Sequence, residues 1–175
     1  MRETVSIMAV GEVPAKYLDV LAQELNKRGY VRRFVVDGKL GFPEGAGFNK
    51  YRGQWDAQEL LKLASGNAII VTTQDVYAGQ LNYVFGLTKT SGPCIVSLAR
   101  LDPVFYGKNQ NFSVTADRLV KEAIHELGHL IGLRENCVDP ECVMTYAQHV
   151  TDIDKKSKNF CKTCEIKLTA AGTEL

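Results

Sequence analysis

Apolar and polar positions along the chain change period several times. Residues 5–10 form a short apolar run that predicts a first strand. Residues 15–28 carry Leu18, Leu21, Ala22 and Leu25 at helical spacing, which predicts an amphipathic helix stopped by Gly29. The β-branched stretch 31–36 predicts a second strand. Five glycines and a proline interrupt any period between residues 37 and 53, so a long loop is expected there. A helix over 55–64, ending near Gly66, and a buried strand over 68–72 follow. Residues 83–88 and 94–98 read as two more strands, parted by the turn cluster 89–93. The order β-α-β-α-β-β-β predicts an α/β (α+β) fold with a twisted mixed sheet.

The most regular segment is 114–133. Leu119, Ala123, Ile124, Leu127, Leu130 and Ile131 give it a broad apolar face, which predicts a central, buried helix. Ser113 or Thr115 suits its cap, Asp117 its first turn and Gly132 its stop. Residues 134–175 are loop-rich, with short helices expected over 152–159 and 165–171.

A length of 175 residues fits one domain, 1–175. With 45% hydrophobic and 23% charged residues, the chain is not of the disordered class. A net charge of +1 argues against a nucleic-acid partner. No apolar run approaches the length of a membrane span, and the N-terminal run, flanked by Glu3 and Glu12, is too short for a signal peptide. A cytoplasmic monomer is the expectation. In a reducing compartment clustered cysteines read as metal ligands rather than disulfides. Cys137, Cys142, Cys161 and Cys164 cluster; Cys94, in an apolar strand, reads as a small buried hydrophobe.

Inside the long helix stands His125-Glu126-Leu127-Gly128-His129. Positions i and i+4 share a helix face about 6 Å apart along the axis, so two imidazoles reach one zinc ion. Glu126 is placed to act as general base on a zinc-bound water. H-E-x-x-H also arises by accident on surface helices, but two histidines and a glutamate on an otherwise apolar helix are unfavourable to bury unpartnered, which favours metal binding. Cys137-x4-Cys142 and Cys161-x2-Cys164 are two close pairs, the arrangement of a four-thiolate structural zinc. Disulfides fit the compartment poorly, and a redox C-x-x-C usually follows a strand, where this one follows a polar run. Lys155-Lys156-x-Lys158 reads as a solvated helix face.

His125-Glu126-x-x-His129-x-x-Gly132 opens the metzincin signature, and Cys137-x4-Cys142-x-Met144 and Cys161-x2-Cys164 follow it. In order and spacing these elements resemble the archaemetzincins, over residues 115–168, with weaker likeness at 77–86. The resemblance implies a zinc metallopeptidase with two Zn2+ per chain, one catalytic and one structural, acting on a peptide or protein substrate. It divides the domain into a sheet and active-site helix (1–133) and a Met-turn and four-cysteine region (134–175). It makes Met144 the hydrophobic base under the metal and residues 83–88 the edge strand that pairs with substrate. Tyr146 holds an M-x-Y position that meets the metal or transition state in some metzincins and packs as a plain aromatic elsewhere.

The chain departs from that signature at the third metal ligand. Glu135 stands where a histidine is asked for, and one extra residue precedes Cys137. Three readings stay open: Glu135 ligates, His149 folds back to ligate, or the site has two histidines only. The departure keeps two other functions in view, a zinc and peptide-binding protein without turnover and a zinc-knuckle interaction module. The glycine-rich loop and residues 101–111 are expected to shape the cleft.

Overall fold

Alternation along the strands sets the architecture in the computed structural model, which describes residues 3–90 and 92–172. Strand β1 (Thr4–Val10) turns Val5, Ile7 and Ala9 to one core and Val10 to another, as a period of two requires. Helix α1 (Ala15–Asn26) buries Leu18, Leu21 and Leu25 and returns the chain so that β2 (Arg33–Leu40) runs parallel to β1. A short hairpin of β3 (Phe48–Asn49) and β4 (Gln54–Asp56) leads into α2 (Ala57–Leu61). Strand β5 (Ala68–Thr72) lies parallel to β1 on its other side, and β6 (Val76–Tyr77) joins β4. Strands β7 (Gly86–Thr88) and β8 (Cys94–Ser97) form an antiparallel pair, with β8 parallel to β5. The main sheet therefore has the order β2-β1-β5-β8-β7, antiparallel only at its β7 edge, beside a small sheet β3-β4-β6.

After a 3-10 turn at Pro103–Tyr106 come α3 (Phe112–Leu130), α4 (Val150–Lys155) and α5 (Lys162–Ala170). Helices α1 and α3 cover one sheet face, where Leu21, Leu25, Leu119 and Ile124 meet Val5, Ile7, Ile69, Val71 and Val96. Leu60 and Leu61 of α2 cover the other, against Val10, Ile70 and Ile95. Strand β5 is buried at every residue because both its faces are roofed, which is what its unbroken apolar run encodes. Cys94 is wholly buried on the α3 side. Among the described residues no helix is long and apolar enough to cross a membrane.

Several expectations are corrected. The glycine-rich segment is not one loop: β2 runs on to Leu40, and the β3–β4 hairpin occupies its far end, where Phe42 stacks on Trp55 at 4.5 Å. Trp55 belongs to β4, and α2 starts after it because Asp56 caps the Gln58 N–H. Of residues 83–88 only Gly86–Thr88 pair as a strand. Helix α3 begins earlier than expected, with Asn111 accepting from the Val114 N–H at 3.2 Å. Asp117 consequently lies in the second turn, where it pairs with Lys121 and Lys158, each at 2.9 Å.

The lysine run is also corrected. Helix α4 ends at Lys155, and Lys156 adopts an extended conformation (ψ 154°) that turns its side chain inward to 2% exposure. There it pairs with Glu122. Lys155 alone of the three is largely solvated.

Candidate metal centres and catalytic cleft

The i, i+4 spacing on α3 brings the Nε2 atoms of His125 and His129 to 3.1 Å from one another. Each Nδ1 faces a main-chain carbonyl, Val143 O at 2.9 Å for His125 and Leu133 O at 2.6 Å for His129. A carbonyl only accepts, so each ring carries its proton on Nδ1 and presents a lone pair on Nε2. Two lone pairs facing each other are disfavoured unless a cation lies between them, and this carbonyl support is how histidine ligands are oriented. Burial drives the His125 imidazole down to about 4, so it is neutral, as a ligand must be. Gly132, at φ 122°, turns the chain after α3 and lets Leu133 return its carbonyl to His129.

Glu126 is 4% exposed, and its Oε2 accepts the Thr88 hydroxyl at 2.5 Å. Burial first, and then the nearby charge of Glu122, raise its carboxyl to about 8. Gly86 of the edge strand leaves room for it: a Cβ there would stand 2.6 Å from Glu126 Oε1. Met144 is fully buried, and its sulfur packs against Gly128, between the two histidines on the helix.

Two cavities flank this centre and share His125, Glu126, Gly86 and Tyr146. One, of about 340 Å³, also holds Glu122, Lys156 and His149. The other, of about 680 Å³, holds His129, Arg134 and Asn136. Tyr146 is exposed at the rim of both. Glu135 is exposed and lines neither. His149 begins α4, where its N–H donates to Asp152 Oδ2 at 2.9 Å. Among the described residues, neither Glu135 nor His149 gathers with the histidine pair into a three-donor set. Residues 101–111 line a separate cavity of about 540 Å³ that meets the first only at Tyr83 and His149. The glycine-rich segment reaches the cleft through Arg52, which donates to the Leu81 carbonyl at 2.9 Å.

The four cysteines do form such a set, with all four sulfurs within 4.8 Å of one another. Cys137 and Cys161 are 3.6 Å apart and Cys142 and Cys164 3.8 Å. A tetrahedron of zinc–sulfur bonds of about 2.3 Å has edges of about 3.8 Å, whereas a disulfide needs about 2.05 Å. The Cys161 N–H further donates to Cys142 Sγ at 3.3 Å. The two centres share main chain: Val143, which orients His125, lies between Cys142 and Met144, and the Cys137 N–H donates to Met144 O at 2.9 Å.

Thr88, Asn136, Val143, Glu122 and Lys156 are the parts of this site that sequence reasoning missed. Only Glu122 gave a usable signal, since it lies one turn before His125 and Glu126 on the same helix face. The others reach the centre from a strand end or a loop, positions that carry no period.

Comparison with known proteins identifies the family. A family profile, peptidase family M54, matches residues 46–170. The archaemetzincin of Methanocaldococcus jannaschii is 42% identical over 172 residues, covering 96% of this chain and 94% of that one. The crystal structure of archaemetzincin from Methanopyrus kandleri superposes with a TM-score of 0.82 at 30% identity, covering 97% of this chain and 94% of that one. A zinc-dependent peptidase from Methanocorpusculum labreanum gives a TM-score of 0.81 at 28% identity, covering 94% and 99%. A helix-borne histidine pair with a buried glutamate beside it, a fold shared with these structures and the matching profile together show that the chain belongs to peptidase family M54, the archaemetzincins, and is a zinc metallopeptidase.

Proposed function

We propose that the chain hydrolyses peptide bonds at the centre formed by His125, His129 and Glu126, and that Cys137, Cys142, Cys161 and Cys164 hold a second, structural zinc. The observation that carries the reading is the pair of Nε2 lone pairs facing at 3.1 Å, each fixed by a carbonyl behind it. Zinc bound there supplies a Lewis acid that acidifies a water and polarises the scissile carbonyl. An extended substrate pairs with the outer side of β7, the last strand of the sheet, which carries its backbone past Gly86. Glu126 takes the proton of the attacking water and passes it to the leaving amine nitrogen. The Thr88 hydroxyl holds the carboxylate at the angle this requires. The thiol-rich cluster fits a reducing, cytoplasmic setting.

Glu135 stands at the third ligand position in sequence, and as a ligand it would have to turn in from its exposed place. Asn136 lines the cavity that holds His129. Zinc per chain after exhaustive dialysis tests the assignment. Wild type is expected to hold two, Glu135→Ala one if Glu135 ligates, and Glu126→Ala two with peptide hydrolysis abolished. One zinc in every variant, with no hydrolysis, favours instead a peptide-binding role; the absence of a gathered third donor is the observation on that side.

A further inference from the structure

The chain that follows α4 supports the histidine pair from behind. Val143, whose carbonyl orients His125, is itself held: its N–H donates to the Asn159 carbonyl at 2.9 Å. Two residues before Asn159, the Ser157 N–H donates to the Glu141 carbonyl, also at 2.9 Å. Lys156 adds a third tie, with Nζ 3.3 Å from the Thr145 carbonyl. Residues 156–159 thus run beside 141–145 and are joined to them at three points. Ser157, Lys158 and Asn159 have no apolar side chain, so burial of apolar surface contributes little to holding them. Charged groups hold them instead. Lys156, 2% exposed, has its Nζ 3.6 Å from Glu122 Oε2, and Lys158 has its Nζ 2.9 Å from Asp117 Oδ1, both carboxylates being on α3. Arg28, just past α1, donates to Asn159 Oδ1 at 3.1 Å.

Glu122 and His125 are three positions apart on α3 and so share a face. One helix therefore carries both the imidazole and the carboxylates that anchor the segment behind it. A shift of residues 156–159 would carry Val143 with it, take the acceptor away from His125 Nδ1 and turn the Nε2 lone pair from its place opposite His129. We propose that residues 156–159 are a brace that positions His125 as a metal ligand, anchored to α3 by Lys156 and Lys158 and acting through Val143. Both lysines are positioning residues, and their effect reaches the metal only through main chain. The inference rests on zinc binding at the histidine pair and is independent of hydrolysis.

The test uses the zinc-loaded full chain. Zinc affinity at the histidine pair is read by competition with a graded chelator, with the cluster zinc as internal reference, and the urea midpoint of unfolding is read alongside. Glu122→Leu/Lys156→Met removes one negative and one positive group, so the net charge beside the histidines is unchanged, and buried ion pairs often tolerate such a replacement. It should keep its unfolding midpoint and its cluster zinc and lose about tenfold in affinity at the histidine pair. Lys158→Met cuts the other anchor and leaves Asp117 paired with Lys121. It should lose about threefold or more, whereas Lys158→Arg, which still pairs with Asp117, should stay within about twofold of wild type. If the double variant does not fold, the two Lys158 variants decide. Wild-type affinity in every folded variant, a lowered unfolding midpoint with affinity intact, or an equal loss in Lys158→Arg and Lys158→Met overturns the brace and leaves the metal centre standing. A wild-type chain that takes zinc at the cysteine cluster alone overturns the metal-centre reading, and the brace with it.

Discussion

Two neighbours fix the position of Glu126. The carboxylate is wedged between Gly86, where a larger residue would collide with it, and the Thr88 hydroxyl. Thr88→Val keeps the shape and removes the donor. Losing one hydrogen bond of about 1–1.5 kcal/mol should lower kcat about tenfold, with KM and zinc content unchanged, by steady-state kinetics and metal analysis. An unchanged kcat would mean that burial alone orients Glu126. The histidines and Glu126 were legible in the sequence because their relation is local, fixed by helix geometry. Thr88 was not, since it is 38 positions away and meets Glu126 only through the sheet. Glu135 occupies the expected position in the chain, yet it is exposed and lines neither cavity.

Between elements, α3 is the part everything else is built on. Its apolar face was readable from periodicity, but its charged residues are buried too, and each has a partner from another element. Arg118 is 8% exposed, donates to both carboxylate oxygens of Asp154 at 2.7 and 2.8 Å, and reaches the Leu101 carbonyl at 2.7 Å. This clamp ties α4 to α3 and so fixes His149 and Val150 at the mouth of the cleft. Asp154→Ala should destabilise the protein by about 1.5–3 kcal/mol in urea unfolding, the range for hydrogen bonds to a charged group. A loss under 0.5 kcal/mol, typical of a surface substitution, would mean that the clamp is solvated. The lysine run misled for a related reason. Three lysines in four positions look like a wet helix face, but the helix stops at Lys155, and the next residue turns into the core.

Across the whole molecule, the histidine pair and the cysteine cluster are joined through one short stretch of main chain. Residues 142–144 carry a cluster sulfur, the carbonyl behind His125 and the methionine under α3 in immediate succession. Cys161→Ser should release the cluster zinc and also weaken zinc at the histidine pair, by about 10–100-fold, the usual effect of disturbing the groups behind a ligand. Competition with a graded chelator reads the second affinity. Retained affinity at the histidine pair, after loss of the cluster zinc, would show that Val143 is held independently of the cluster.

The sequence by itself determined whatever depends on near neighbours: the central helix and the histidine pair on it, the cysteine pairs, the buried strand 68–72, and through them the family. These follow from periods and short spacings that the backbone imposes wherever the segment lies. Tertiary structure decided the rest. It made β2 a strand through polar residues such as Asp37 and Lys39, whose exposure on the sheet gives no apolar period to read. It gathered four sulfurs from 28 residues of chain to within 4.8 Å of one another. It also placed Lys156 beneath the cleft, opposite a glutamate 34 positions earlier. Ion pairs and hydrogen bonds depend on distance in space, and in this chain those distances are set only once both faces of the sheet are covered.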